Sequence, residues 1–136
     1  MTLKSGTLGG GFTNKPQIIN TVYDFSADGG TKTTYVMTPA ASEDLLVKLV
    51  GMRVDTAPIS SGAATIGVGT SDTAAAFVTT EGKATFVLNS FITPEACTTG
   101  TESFVKLASG STLDCDVATE VLTAGKITFV WEIMKF

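Results

Sequence analysis

The 136-residue chain contains no histidine. That absence excludes Ser-His-Asp and Cys-His nucleophilic catalysis, His-ligated zinc and an imidazole pH switch. Arginine occurs once, at Arg53, and the nine Lys and Arg residues face 13 Asp and Glu, for a net charge of -4. A general nucleic-acid binder needs a basic footprint, so no nucleic-acid partner is expected. Charged residues make up only 16% against 43% hydrophobic. Disordered chains show the reverse balance, so a folded domain is expected. The two cysteines, Cys97 and Cys115, are too far apart for a CxxC metal or redox motif. A disulfide between them stays open, although reduced thiols are the default without an export signal. The opening residues MTLKSGTLGGGF hold no apolar core of roughly 7–15 residues and do not read as a secretory signal. No run approaches the roughly 18 apolar residues of a spanning helix. The most apolar window, Leu45 to Val54, is broken by Lys48, Gly51 and Arg53, and no membrane partner is expected.

What the chain does have is 23 Thr and 14 Gly, and their distribution predicts β-structure. Thr, Val, Ile and Phe suit a pleated surface, and Gly, Asp and Ser recur between the apolar runs. The clearest strand is Lys126 to Met134, with Ile127, Phe129, Trp131 and Ile133 on one face. Trp131 therefore reads as core. In Ser111 to Val121, Leu113, Cys115 and Val117 share a face opposite Asp114 and Asp116, so Cys115 reads as a small core residue. Leu45 to Asp55 alternates in two phases that meet beside Gly51, where a β-bulge is expected. Further strands are expected at Ile18 to Phe25, Thr33 to Met37, Ala63 to Gly69, Ala84 to Ile92 and Ser103 to Leu107. Turn signals separate them at Asp28-Gly29-Gly30, Thr38-Pro39, Ser60-Ser61-Gly62, Glu81-Gly82, Thr93-Pro94 and Ser109-Gly110. Short helical stretches are expected at Pro39 to Leu46, with Ser42 as cap, and as one turn at Asp72 to Phe77. About eight short strands predict an all-β, single-domain antiparallel β-sandwich or jelly roll over residues 17–136. Residues 1–16, which include Gly6, Gly9, Gly10 and Gly11, form a Gly-rich N-terminal arm. Such an arm orders against a neighbouring subunit or by folding back on its own domain.

The chemistry-bearing residues are few. Asp114 and Asp116 are the one close carboxylate pair on a strand face, suited in principle to acid/base work or a hard cation. No third ligand stands at motif spacing, and a solvated strand face is the simpler reading. Gly67-Val68-Gly69 lacks the third glycine of a dinucleotide fingerprint, because Asp72 stands there. Gly82-Lys83 and Gly125-Lys126 lack the rest of a P-loop. Cys97 has no histidine to activate it. Tyr23 and Tyr35 are the aromatics left over for stacking a sugar. No catalytic, cofactor or metal residue is assigned, no cofactor is implied, and a non-enzyme is expected. Phe12, Met134 and Phe136 near the termini either close the core or meet a protein partner.

Three blocks carry a resemblance. Val22-Tyr23-Asp24-Phe25-Ser26-Ala27-Asp28-Gly29-Gly30 resembles the opening strand and turn of small tailed-bacteriophage virion proteins. The stretch from Val54-Asp55-Thr56-Ala57-Pro58 through Ile66-Gly67-Val68-Gly69-Thr70 is similar to their central hairpin. Leu122-Thr123-Ala124-Gly125-Lys126-Ile127 with the Phe129 to Ile133 strand is similar to their closing hairpin. The blocks cover under half of the chain, in the family's order, and Gly/Ala/Thr-rich hairpins of this kind recur in many β proteins. The N-terminal arm and the Phe91 to Thr101 stretch depart from the pattern. The resemblance implies a β-sandwich decoration (cement) protein of the capsid, located on the virion and assembled in the host cytoplasm. It further implies major capsid protein and copies of the chain itself, as a homotrimer, as partners. A tail or appendage component, such as a ring, a fibre or a receptor- or carbohydrate-binding module, is the alternative.

Overall fold

The structure, a computed structural model, describes Leu8 and residues 11–136. It is all-β, with two antiparallel sheets, one curled as half a barrel. Among the described residues nine strands run in the order β1 (Gln17–Asp24), β2 (Thr34–Val36), β3 (Leu45–Ile59), β4 (Thr65–Thr70), β5 (Val78–Gly82), β6 (Phe91–Ile92), β7 (Val105–Leu107), β8 (Leu113–Ala118) and β9 (Ala124–Lys135). The first sheet has the order β1-β9-β3, with β6 and β7 end to end on the far edge of β3. The second has the order β2-β8-β4-β5.

Alternation explains the layers. On β9, Ile127, Phe129, Trp131 and Ile133 are all fully buried, as are Ile19 and Tyr23 on β1 and Leu45, Val47 and Leu49 on β3. Across the core, Leu113, Cys115 and Val117 of β8 and Ile66 and Val68 of β4 face them. Trp131 packs edge-on against Phe77 at 5.1 Å, and its indole N–H donates to Thr21 Oγ1 at 2.9 Å. The phase change at Gly51 is a β-bulge: the register against β9 slips between Leu49 and Gly51, which turns Met52 and Val54 back toward the core. The Phe91 ring lies over Gly51 where any side chain would stand.

Several sequence expectations are corrected. The strands are not uniformly short, since β3 runs for 15 residues and β9 for 12. Pro39 to Leu46 forms no helix. Its amides bond outside the segment, Ala41 to the Ser111 carbonyl and Ser42 to the Leu8 carbonyl, and β3 begins at Leu45. Asp72 to Phe77 is a loop with a turn rather than a helical turn. The one short α-helix among the described residues, α1 (Phe25–Asp28), lies where the first expected strand ends, capped by Asp24. The turn expected beside it does occur, with Gly29 at φ 85°.

Ala84 to Ile92 is no continuous strand either. Residues 83–85 form a 3-10 turn and only Phe91–Ile92 is extended in a sheet. This segment crosses from the second sheet to the first, so its amides close local turns: Phe86 N–H to the Lys83 carbonyl and Ser90 N–H to the Val87 carbonyl. The strand in this region is β5, which includes the Glu81-Gly82 pair expected as a turn. Cys97 and Cys115 are both buried and are not joined in a disulfide. From the arm, Leu8 is fully buried and bridges to Ala41, Phe12 packs against the core, and the Thr13 carbonyl accepts from Lys135 N–H. The arm's other residues up to Gly10 lie outside the described residues.

Candidate functional site

The outer face of the second sheet is built on glycine. Inner-facing Ile66 and Val68 of β4 are separated by Gly67 and followed by Gly69, which point outward. Over Gly69 the loop of residues 71–77 settles so closely that an added Cβ would meet the Thr73 carbonyl at 2.7 Å. Beside it, a shallow cleft of about 630 Å³ opens, with walls formed by Lys32–Thr34, Ala74–Ala75, Thr80 and Asp116–Thr119. Asp116 lines it and accepts from the Thr34 hydroxyl at 2.5 Å. Among the described residues four non-glycines have positive φ, and three of them, Ala75 (56°), Thr80 (36°) and Thr119 (71°), stand on these walls. Backbone strain of this kind costs on the order of 1–3 kcal/mol per residue and gathers at functional places. Chemically the open cleft offers hydroxyls, one ammonium and one carboxylate around carbon walls.

The expected carboxylate pair is not a solvated face. Asp114 is 5% exposed, with the Thr112 hydroxyl donating to it at 2.6 Å. Burial pushes its carboxyl above the usual value, the Thr112 bond opposes this, and the charge of Asp116 adds to the rise. Asp116 is half-buried in the cleft. The other buried acid, Glu81, carries no sequence signal. A register shift in β5 against β4 turns both Val78 and Glu81 inward. Its carboxylate accepts from Thr98 N–H at 2.7 Å and from the Thr85 hydroxyl, pinning the two segments that flank β6. Among the described residues no group of three or more His, Cys, Asp or Glu side chains could hold a metal ion. Burial, with Glu81 nearby, pushes the Cys97 thiol up to about 11, which leaves it protonated at neutral pH.

Of the two tyrosines only Tyr35 reaches the surface, and it is half-buried. Tyr23 is fully buried, its ring 5.0 Å from that of Tyr35, and the two hydroxyls donate to the Gly29 and Thr31 carbonyls. Exposed apolar groups are spread over Ile18, Val36, Ile59, Val121 and Phe136, and three more gather in residues 86–91. Phe86 anchors the segment in the core while Val87 is 60%, Leu88 52% and Phe91 52% exposed. The segment is stitched to β3 by Val54 N–H to the Ser90 carbonyl and Asn89 N–H to the Val54 carbonyl. It is a fixed apolar knob rather than a loose loop. Phe136, 63% exposed, sits apart under the Lys106 ammonium, 4.6 Å from its ring centroid, and Met134 is half-buried.

No family model, curated protein or solved structure matches the chain. The functional reading therefore rests on the chain's own residues, the apolar knob above all.

Proposed function

We propose that this chain is a non-enzymatic structural protein of a tailed-phage virion that decorates the capsid, binding the assembled shell of major capsid proteins and stabilising it. The observation that carries the reading is the knob: Val87 and Leu88 stand exposed on a segment tied to β3 by backbone hydrogen bonds, beside the half-exposed Phe91 ring that lies across Gly51. Apolar anchors that are already ordered dock with little entropic loss and concentrate binding energy at protein interfaces. The three sequence blocks that resemble virion proteins point the same way. A ligand that binds only the assembled shell stabilises it by mass action, and many copies on a symmetric lattice add avidity.

The test uses particles of the phage that encodes the chain, assembled with and without it. Expected are hundreds of copies on each shell, lower heat resistance of particles that lack it, and failure of Leu88→Asp to co-sediment with bare shells. A handful of copies per particle would assign it to the tail instead. Bare shells that neither bind the chain nor gain heat resistance from it would overturn the proposal.

A further inference from the structure

The two sheets treat their edges differently. The outer edge of β5 is covered, because Thr79 N–H bonds the Thr99 carbonyl and Thr101 N–H the Phe77 carbonyl. The far edge of β3 is covered by β7 at Leu45–Val47 and by β6 at Met52–Arg53. Strand β1 pairs with β9 along all eight residues in unbroken register, and among the described residues no backbone group pairs with its other edge. Soluble proteins blunt such an edge with a lysine, a proline or a bulge. Gln17 to Tyr23 contains none of these.

The direction of each backbone group follows from the ladders. Val54 N–H and C=O bond to residues 89–90, so its neighbour Arg53 is the one that bonds β9, at Thr128. Backbone groups alternate sides along a strand. Thr128 is thereby committed to β3, and Ile127 and Phe129 bond Tyr23 and Thr21. Ile18, Asn20 and Val22 therefore turn their N–H and C=O groups to the open edge. Asp24 points the same way, but its N–H is already taken by the Asp28 carboxylate at 2.9 Å. Pro16, at the other end, has no N–H.

We infer that β1 is a self-pairing edge: a second copy of this chain adds its own β1, antiparallel, about a two-fold axis at Asn20. The occupant and the register follow from the same facts. With Asn20 opposite Asn20 and Ile18 opposite Val22 of the second copy, every open-edge donor and acceptor of residues 18, 20 and 22 is matched. The ladder then ends where Pro16 meets Asp24, neither of which has a donor to lose. Sliding either way by two residues sets the Val22 or Ile18 carbonyl against one of those ends, which has no N–H to give it. The side chains agree: Ile18, 57% exposed, comes to lie beside Val22 on the outer face. The pairing joins the two first sheets into one. It is two-fold, whereas the virion resemblance implies three copies.

The experiment is sedimentation equilibrium over a concentration series, with disulfide trapping. Directly opposed residues of a hydrogen-bonded antiparallel pair have Cα atoms about 5.5 Å apart, within disulfide reach. Asn20→Cys is expected to give a covalent two-chain species under mild oxidation. Val22→Cys, which the register sets against Ile18 instead, is not. The wild type is expected to move between one and two chain masses. Asn20→Pro removes a donor the monomer does not use and weakens association at least about tenfold. Ile18→Lys does the same without touching the backbone, and Trp131 emission checks that each variant is folded. A wild type that stays at one chain mass, a three-chain mass, or equal trapping at positions 20 and 22 would overturn the inference. So would a β1 edge that captures only a different protein.

Discussion

At the residue scale, burial rather than residue type sets what the ionisable groups do. Asp114 and Asp55 are both strand aspartates, yet they are shifted in opposite directions. Asp55 accepts from Arg53 at 2.7 Å and from the Thr128 hydroxyl at 2.6 Å, which hold its carboxyl below the usual value. Asp114 is raised, chiefly by desolvation. A raised carboxyl binds its proton more tightly in the folded state, so its stabilising contribution is full below the unfolded value of about 3.9 and is lost as pH rises through the folded value. Asp114→Asn keeps an acceptor for Thr112 and removes the buried charge. The melting temperature at pH 7 is expected to rise in the variant, and the gain to vanish toward pH 3 in a thermal series. A gain that is the same at both pH values would show that desolvation of the charge is not the cause. The contribution of Asp55 has the opposite sign: it is present above the unfolded value and lost as pH falls. Its partner Arg53 is more than half exposed, which keeps the pair's contribution small.

At the element scale, close approach between backbones decides where loops can lie. The loop of residues 71–77 rests on Gly69, and Phe77 at its end is held by its N–H to the Val68 carbonyl and by packing on Trp131. Gly69→Val would drive a side chain into backbone that cannot retreat without pulling Phe77 from the core. The expected loss is about 1–3 kcal/mol by urea denaturation. Gly11→Ala, where an added Cβ meets nothing within 4 Å, is the neutral control. The sequence shows Gly67 and Gly69 plainly but not their purpose, because the residues that press on them come from another segment. The same limit explains β5. Thr79-Thr80-Glu81-Gly82 reads as polar turn, and only the register shift against β4 and the partners Thr85 and Thr98 make an inward glutamate tolerable.

For the whole molecule, topology sets the folding rate. β1 pairs with β9, the other end of the chain, and β3 pairs with β9 across some 70 residues of sequence. Folds dominated by such non-local pairing fold in about milliseconds to seconds. Trp131, the single tryptophan, is fully buried on β9 between Phe77 and Phe129, and reports directly on assembly of this sheet. Stopped-flow refolding followed by its emission is expected to fall in that range. A dominant sub-millisecond phase would mean that the sheet forms from local contacts first. The knob and the open β1 edge are also properties of the whole. Each is a place where the fold, having satisfied its interior, leaves apolar or hydrogen-bonding surface facing outward.

The sequence by itself determined the all-β class, the faces of β8 and β9, the bulge at Gly51 and the burial of Trp131, Cys115 and their neighbours. These follow from alternation along a single strand, a local property that each segment carries with it. It also ruled out histidine chemistry, which depends only on composition. Only the tertiary structure decided that Asp114 is buried, that Glu81 points inward, that Ala84 to Ile92 breaks into a crossing and a knob, and that among the described residues no backbone group pairs with the outer edge of β1. Each of these depends on which distant segment lies alongside. A residue's own spacing says which way its side chain alternates, but only its neighbours in space say whether that side meets water, a hydrogen-bond partner or nothing.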